Sequence, residues 1–354
     1  MRQRIYLDHA STTPILPEAA AAIAEACAIW ANPSSPHAEG RAVRAKMEEA
    51  RRRIAAALGW DGTLIFTSGA TEAIALVFAR ARAKSFTVSA IEHPAVLRSA
   101  PEARQIAVKG DGTLDLDDLD RALAANEVPL VAVQAVNNET GVIHPLEEIA
   151  NRVKAANGLL LVDGAQSAGK LKLPPGDFLV IAAHKLGGPP GIGALLVRDP
   201  VTLDAIGGQE GGYRPGTPSV PLIMGFAAAA EADHGWYEEA KRLRALLDAG
   251  VEDAGGEVVA GTAPRIATIA CYRMSGVTGA AQMMQLDLAG IAVSAGSACA
   301  SGSLKTSHVL AAMGWDEETA REVIRVSFGP RTSRADIDAL LAEWRTLAGK
   351  RRAA

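Results

Sequence analysis

GDFLVIAAHKLGGPPGIG, residues 176–193, runs a buried strand into a glycine-rich turn through a lysine. The apolar run from Phe178 to Ala183 reads as a short strand and ends on His184-Lys185. Gly187, Gly188, Gly191 and Gly193, with two prolines, lead into a second apolar run, GALLV. A lysine at the mouth of a buried strand pulls an ammonium toward low dielectric. Burial there lowers its pKa and leaves part of the amine neutral and nucleophilic. In a glycine-lined cleft such an amine can condense with a carbonyl compound. A surface lysine in a turn fits the same residues, so the rest of the chain decides.

Working outward, the pattern repeats. Strand-like runs TLIFT (63–67), FTVSAIE (86–92), QIAV (105–108), PLVAVQAV (129–136) and GLLLVD (158–163) alternate with helical stretches from Ala70, Leu116–Ala125 and Pro145–Ala156. This alternation predicts an α/β fold with a mostly parallel sheet covered on both faces. Ligands of such sheets sit beyond the carboxyl ends of the strands. His93, Asn138, Asp163, Gln166 and Lys185 all fall just after predicted strand ends. Thr67-Ser68-Gly69 feeds the helical stretch from Ala70 through a glycine turn, whose free N–H groups make a ready phosphate site, a feature that every α/β protein shares. A helical stretch over Pro221–Ala249 is expected to link this large domain to a smaller α+β domain. The expected boundaries are 12–240 for the first and 1–11 with 241–354 for the second. The basic residues of the helix from about Glu39 to Leu58, Arg51 among them, read as a solvated face.

Composition narrows the class. The 354 residues are 49% hydrophobic with a net charge of −4, so neither nucleic acid nor anionic membrane is an expected partner. No apolar run is long enough to span a bilayer, and MRQRIYLDHA lacks a secretory hydrophobic segment, so the expected location is the cytoplasm. Three cysteines, Cys27, Cys271 and Cys299, form no CxxC pair and indicate neither a disulfide framework nor a zinc site. Cys27 and Cys271 read as core residues. Cys299 lies in SAGSACASGSLKTSHVL, a small-residue loop, where a thiol suggests reactivity or movement.

Individual residues keep two readings. Asp163 ends an apolar run, so it suits a cationic partner such as a protonated pyridine nitrogen, or a helix N-cap. His93 suits a stacking ring, an acid/base group or a hydrogen-bonded loop residue. Arg325, on VIRVSFG, and Arg214 suit a carboxylate clamp or a buried ion pair.

Taken together, YLDHASTTP (6–14), NPSSPHAEG, FTSGATE, IEHPAV, VNNETGVIHP, VDGAQSAGK, AAHKLGGPPGIGAL, GGQEGGYRPGT, SAGSACASGS and IRVSFGP resemble the cysteine desulfurases of the NifS/IscS type. These belong to the class V aminotransferase branch of the fold-type I pyridoxal-phosphate enzymes. The cysteine loop resembles the SGSAC form of group I. The resemblance implies conversion of L-cysteine to L-alanine, with sulfur passing to Cys299 and on to an acceptor protein for iron–sulfur clusters, other sulfur cofactors or tRNA thiolation. It implies pyridoxal 5′-phosphate held covalently by Lys185, with Asp163 on the pyridine nitrogen, His93 on the ring, Gln166 and Asn138 near the ring oxygen, and Ala70, Thr71 and His184 at the phosphate. Thr217 is expected to reach the phosphate of a second subunit in a homodimer, and Arg325 and Asn32 to clamp the substrate carboxylate. One departure stands out: the family commonly carries a serine three residues before the lysine, where this chain has Ala182. The competing readings are a selenocysteine lyase or other fold-type I enzyme, and a non-catalytic sulfur-pathway partner.

Overall fold

The computed structural model describes residues 4–29, 31–125, 127–233, 235–295 and 306–353. The chain opens with β1 (Ile5–Tyr6). The next seven strands form one sheet: β2 (Thr63–Thr67), β3 (Ser85–Ser89), β4 (Arg104–Ile106), β5 (Pro129–Gln134), β6 (Leu159–Asp163), β7 (Phe178–Ala182) and β8 (Gly193–Val197). Their spatial order is β2-β8-β7-β6-β5-β3-β4. β8 runs antiparallel to both its neighbours, while the remaining pairings are parallel. The carboxyl ends of β2, β3, β5, β6 and β7 therefore share one rim.

The period of two along these strands fills both faces. Ile65, Val88, Leu130, Leu161, Val180 and Leu195 pack against the helices Ala70–Arg80 and Pro94–Ser99. Phe66, Val131, Val133, Val162, Leu179 and Ile181 pack on the other side with the helices Ala38–Leu58 and Val220–Ala230. Apolar residues on both faces leave these strands nearly continuous hydrophobic runs, the mark of a doubly covered sheet. The helix Ala38–Leu58 buries Val43, Met47, Ala50, Ile54 and Leu58, one stripe at helical spacing. Gly59, at φ 68°, ends it.

The turn that makes β8 possible depends on glycine. A Cβ on Gly193 would lie 2.4 Å from the Ile181 carbonyl oxygen and 2.8 Å from Gly69 Cα, and one on Gly187 (φ 84°) would meet Leu16 at 2.6 Å. Without side chains there, the Gly69 turn and β8 approach closely, bringing the end of β7 beside the start of the Ala70–Arg80 helix.

Five short strands follow: β9 (Glu257–Val258), β10 (Ile269–Arg273), β11 (Ile291–Ala292), β12 (Ser294–Ala295) and β13 (Val323–Ser327). Four form an antiparallel sheet in the order β12-β13-β10-β9, and β1 pairs in parallel with β11. Leu7, Leu247, Tyr272, Ile324, Phe328 and Trp344 form the core beneath them. The N-terminal segment is thus held by C-terminal strands, with Asp8 bridged to Ser327, before it crosses to the large sheet.

Three sequence expectations need correction. The stretch 221–249 is two helices, Val220–Ala230 and Trp236–Asp253, because the Asp233 carboxylate accepts from the Gly235 amide (2.8 Å) and Gly235 caps the second helix. Arg51 is not a solvated residue: its fork reaches the Glu210 carboxylate at 2.7 and 3.1 Å and the Leu64 carbonyl at 2.6 Å. Glu210 has a side chain only 1% exposed, so this pair ties the 207–217 loop to the edge of β2. Cys27 is exposed near the end of its helix, whereas Cys271 is buried as expected. Among the described residues, no helix is long and apolar enough to cross a membrane.

Candidate active site

A cavity of about 410 Å³ opens at the shared rim of the large sheet. Its wall includes Lys185, Asp163, His93, Gln166 and Asn138, with Ala70 and Thr71 at one end, His184 beside them and Arg325 at the other. Nine of the residues singled out from sequence thus meet around one space. Neither Asn32 nor Thr217 is on its wall; the Asn32 side chain instead accepts from the Ser34 amide (2.9 Å). Cys299 lies outside the described residues.

Lys185 closes a single 3-10 turn, Ala183–Lys185, directly after β7. Its Nζ donates to the Ala10 carbonyl, which also accepts from Gln166 Nε2 at 2.9 Å. The crossing N-terminal segment therefore orients both side chains, a role for Ala10 that no local sequence signal announces. Gln166 Oε1 is buried without a partner among the described residues, an acceptor left unsatisfied beside the cavity. Asp163, 9% exposed at the end of β6, accepts from the Ala165 amide (2.9 Å). It stabilises the following turn and is on the cavity wall, and it caps no helix, since none begins between β6 and β7 among the described residues.

His93 caps the Pro94–Ser99 helix, its Nδ1 accepting from the Ala95 amide at 3.1 Å. That bond fixes the neutral tautomer with the proton on Nε2. Burial lowers the His93 pKa, the Asp163 carboxylate opposes this, and Lys185 adds to it. Behind it lies Glu92, fully buried, its carboxyl pushed well above the ordinary range by desolvation, although the Gln134 amide donates to it at 2.7 Å. Asp163 raises it further.

At the other end the Ala70–Arg80 helix begins at Gly69 with no side-chain cap. Its first amides have no intrahelical acceptor and carry the positive end of the helix dipole. Glu72, also on the cavity wall, reaches back to accept from the Ser68 amide and from Arg214 Nε (2.8 Å). His184 Nδ1 lies 3.1 Å from Thr12 Oγ1, and burial with the nearby Lys185 charge lowers it to about 4. Ala182 is on the cavity wall and offers a methyl group where a hydroxyl would donate.

Arg325, 5% exposed on β13, pairs with Asp8 (2.7 Å) and donates to the Asn138 carbonyl (2.9 Å). Its Nε is buried with no partner among the described residues. The arginine is thus the buried ion-pair partner that one reading expected, and its side chain also forms part of the cavity wall. Asp8 escaped sequence reading although YLDHASTTP was singled out, because its partner lies 317 residues away.

These groups suit a phosphorylated pyridine aldehyde. Uncapped helix amides match a phosphate, Asp163 a pyridine N–H, the orphaned Gln166 oxygen a hydroxyl donor, and Lys185 an aldehyde carbon. The cavity volume lies in the range of small-molecule sites. Fold and wall together define a site of the fold-type I pyridoxal-phosphate class.

Comparison with known proteins gives the family. Residues 5–340 match the model of the class-V aminotransferases, and the chain belongs to that family. It is 37% identical to the IscS-like cysteine desulfurase of Mycobacterium tuberculosis, over 95% of this chain and 94% of that protein. It is 36% identical to cysteine desulfurase IscS 1 of Archaeoglobus fulgidus, over 95% and 94%. Among solved structures, the NifS-like protein from Rickettsia africae superposes with a TM-score of 0.90 at 29% identity, over 98% of this chain and all of that one.

Proposed function

We propose that this chain is a pyridoxal-phosphate-dependent cysteine desulfurase, which converts L-cysteine to L-alanine and carries the sulfur away on Cys299. The observation that supports it most strongly is that Lys185, Asp163 and Arg325 line one cavity together with Ala70 and Thr71 at an uncapped helix N-terminus.

Bound pyridoxal 5′-phosphate supplies an electron sink for the pair left when a proton departs from the substrate Cα. The protein positions the remaining parts. Ala70 and Thr71 amides and His184 hold the phosphate, Asp163 keeps the pyridine nitrogen protonated, His93 packs on the ring, and Gln166 and Asn138 lie near the ring oxygen. Lys185 holds the cofactor, then takes the Cα proton and returns it. Arg325, with Asn32, orients the substrate carboxylate. The Cys299 thiolate attacks the substrate sulfur: an S–S bond forms, the Cβ–S bond breaks with its electron pair going to carbon, and protonation gives alanine. Cys299 is left as a persulfide, which a thiol acceptor relieves.

The finer parts of this reading follow the same logic. Residues 12–240 form the large domain, and 1–11 with 241–354 the small one that carries the Cys299 segment. Thr217, off the wall of its own cavity, completes the phosphate site of a second subunit, making a homodimer. The acceptor is an iron–sulfur scaffold or a sulfur carrier, and the location is the cytoplasm. Release of alanine and sulfide from L-cysteine and a reductant tests the reading. Stoichiometric release supports it, and a yellow protein that releases neither overturns it.

A further inference from the structure

A second lysine stands beside the first. After β6 the chain makes a compact turn in which the Ser167 carbonyl accepts from the amides of Lys170 (3.0 Å) and Leu171 (2.9 Å), with Gly169 at φ 72° between. The turn carries Lys170 under the site rather than onto its rim. Its Nζ donates to the Gln166 carbonyl at 3.2 Å. The same Gln166 donates through Nε2 to the Ala10 carbonyl that receives Lys185 Nζ. Two amines are therefore fixed to one frame, and both line a small cavity of about 150 Å³.

The charged groups around that space are few. Glu18 and Asp233 are on its wall, and neither is ion-paired with Lys170 among the described residues. His9 is lowered to about 4 first by burial and then by the Lys170 charge. Burial, and then the Lys185 charge, lower the Lys170 amine to about 7. Two like charges confined together titrate as a pair, so each protonation disfavours the other.

We infer that Lys170 is a positioning residue that sets the protonation of Lys185: held by the Gln166 carbonyl, its charge disfavours a second positive charge on the Lys185 nitrogen. The inference rests on the proposed role of Lys185 as the cofactor lysine.

The test is the pH midpoint of the visible absorption of the full chain loaded with pyridoxal 5′-phosphate, which reports the proton on the Lys185 nitrogen. Lys170→Met removes the neighbouring charge, so the midpoint should rise by about one unit. Lys170→Arg keeps a permanent charge, so its midpoint should stay or fall. A packing role alone would move both variants the same way. Should Lys170→Met not fold, Lys170→Gln carries the same expected rise. A midpoint that does not rise in the neutral variants, or that rises equally in Lys170→Arg, overturns the inference while leaving the proposed function standing. A wild-type protein that takes up no cofactor overturns the reading beneath it instead.

Discussion

Replacing Arg325 with lysine separates two jobs that one side chain holds. In the structure its fork is divided between the Asp8 carboxylate at 2.7 Å and the Asn138 carbonyl at 2.9 Å, while Nε is buried and, among the described residues, unpartnered. Lysine can keep a charge opposite Asp8, but it has no fork and no Nε. The lost interaction with a substrate carboxylate is one charge-assisted hydrogen bond, worth about 1.5–3 kcal/mol. That corresponds to roughly a ten- to hundredfold weaker engagement of L-cysteine. The assay is spectral titration of the loaded protein with L-cysteine and with cysteamine, which has the same thiol and amine but no carboxylate. Arg325→Lys should weaken L-cysteine by that factor and leave cysteamine within about twofold, provided thermal unfolding shows an intact fold. Equal losses for both ligands would show that Arg325 acts through Asp8 and the fold alone. No loss for either would remove it from the site.

Other consequences can be checked separately. Ala182→Ser restores a hydroxyl on the cavity wall, and cofactor dissociation should slow by an amount matching about 0.5–1.5 kcal/mol. An unchanged dissociation rate would mean the methyl costs nothing. His144 is 3% exposed, its ring nitrogens lack partners among the described residues, and burial lowers it to about 4. The unfolded chain binds a proton below about pH 6.5 that the folded chain refuses, so stability falls as pH drops from 6.5 toward 4. His144→Gln should remove up to about 3 kcal/mol of that acid loss, read as a smaller shift in urea midpoint between neutral and acid pH. An unaltered shift would place the acid sensitivity elsewhere. Burial and the Glu139 charge push the Cys271 thiol up to about 12, whereas Cys27 is exposed. A maleimide should label Cys27 in the native protein and reach Cys271 only after unfolding; rapid native labelling of Cys271 would contradict its burial.

Much of the sheet was legible because doubly buried strands write themselves as apolar runs, and the polar residues that end them mark the rim. Asp163 after LLLV and Lys185 after FLVIAAH were readable for that reason. The reversed direction of β8 was not, since GALLV reads the same either way and the reversal is decided by the steric room at Gly187 and Gly193. Contacts between distant segments were also silent. The Asp8–Arg325 pair, the Ala10 carbonyl shared by Lys185 and Gln166, and the Arg51–Glu210 tether exist only once the fold has closed. The buried Glu92 next to His93 was hidden for a different reason: a glutamate beside a histidine gives no sign of full burial until strands β3 and β5 enclose it.

The central claim is that Cys299 receives the sulfur that the Lys185 site loosens from L-cysteine. The most direct measurement is intact and peptide mass after brief exposure of the loaded protein to L-cysteine, with alanine counted in parallel. The account predicts one added sulfur atom on the Cys299 peptide and an equal amount of alanine, both absent in Lys185→Ala, and no persulfide in Cys299→Ser despite a normal cofactor spectrum. Sulfur found on Cys27, or full sulfur transfer in the Cys299→Ser variant, would contradict it.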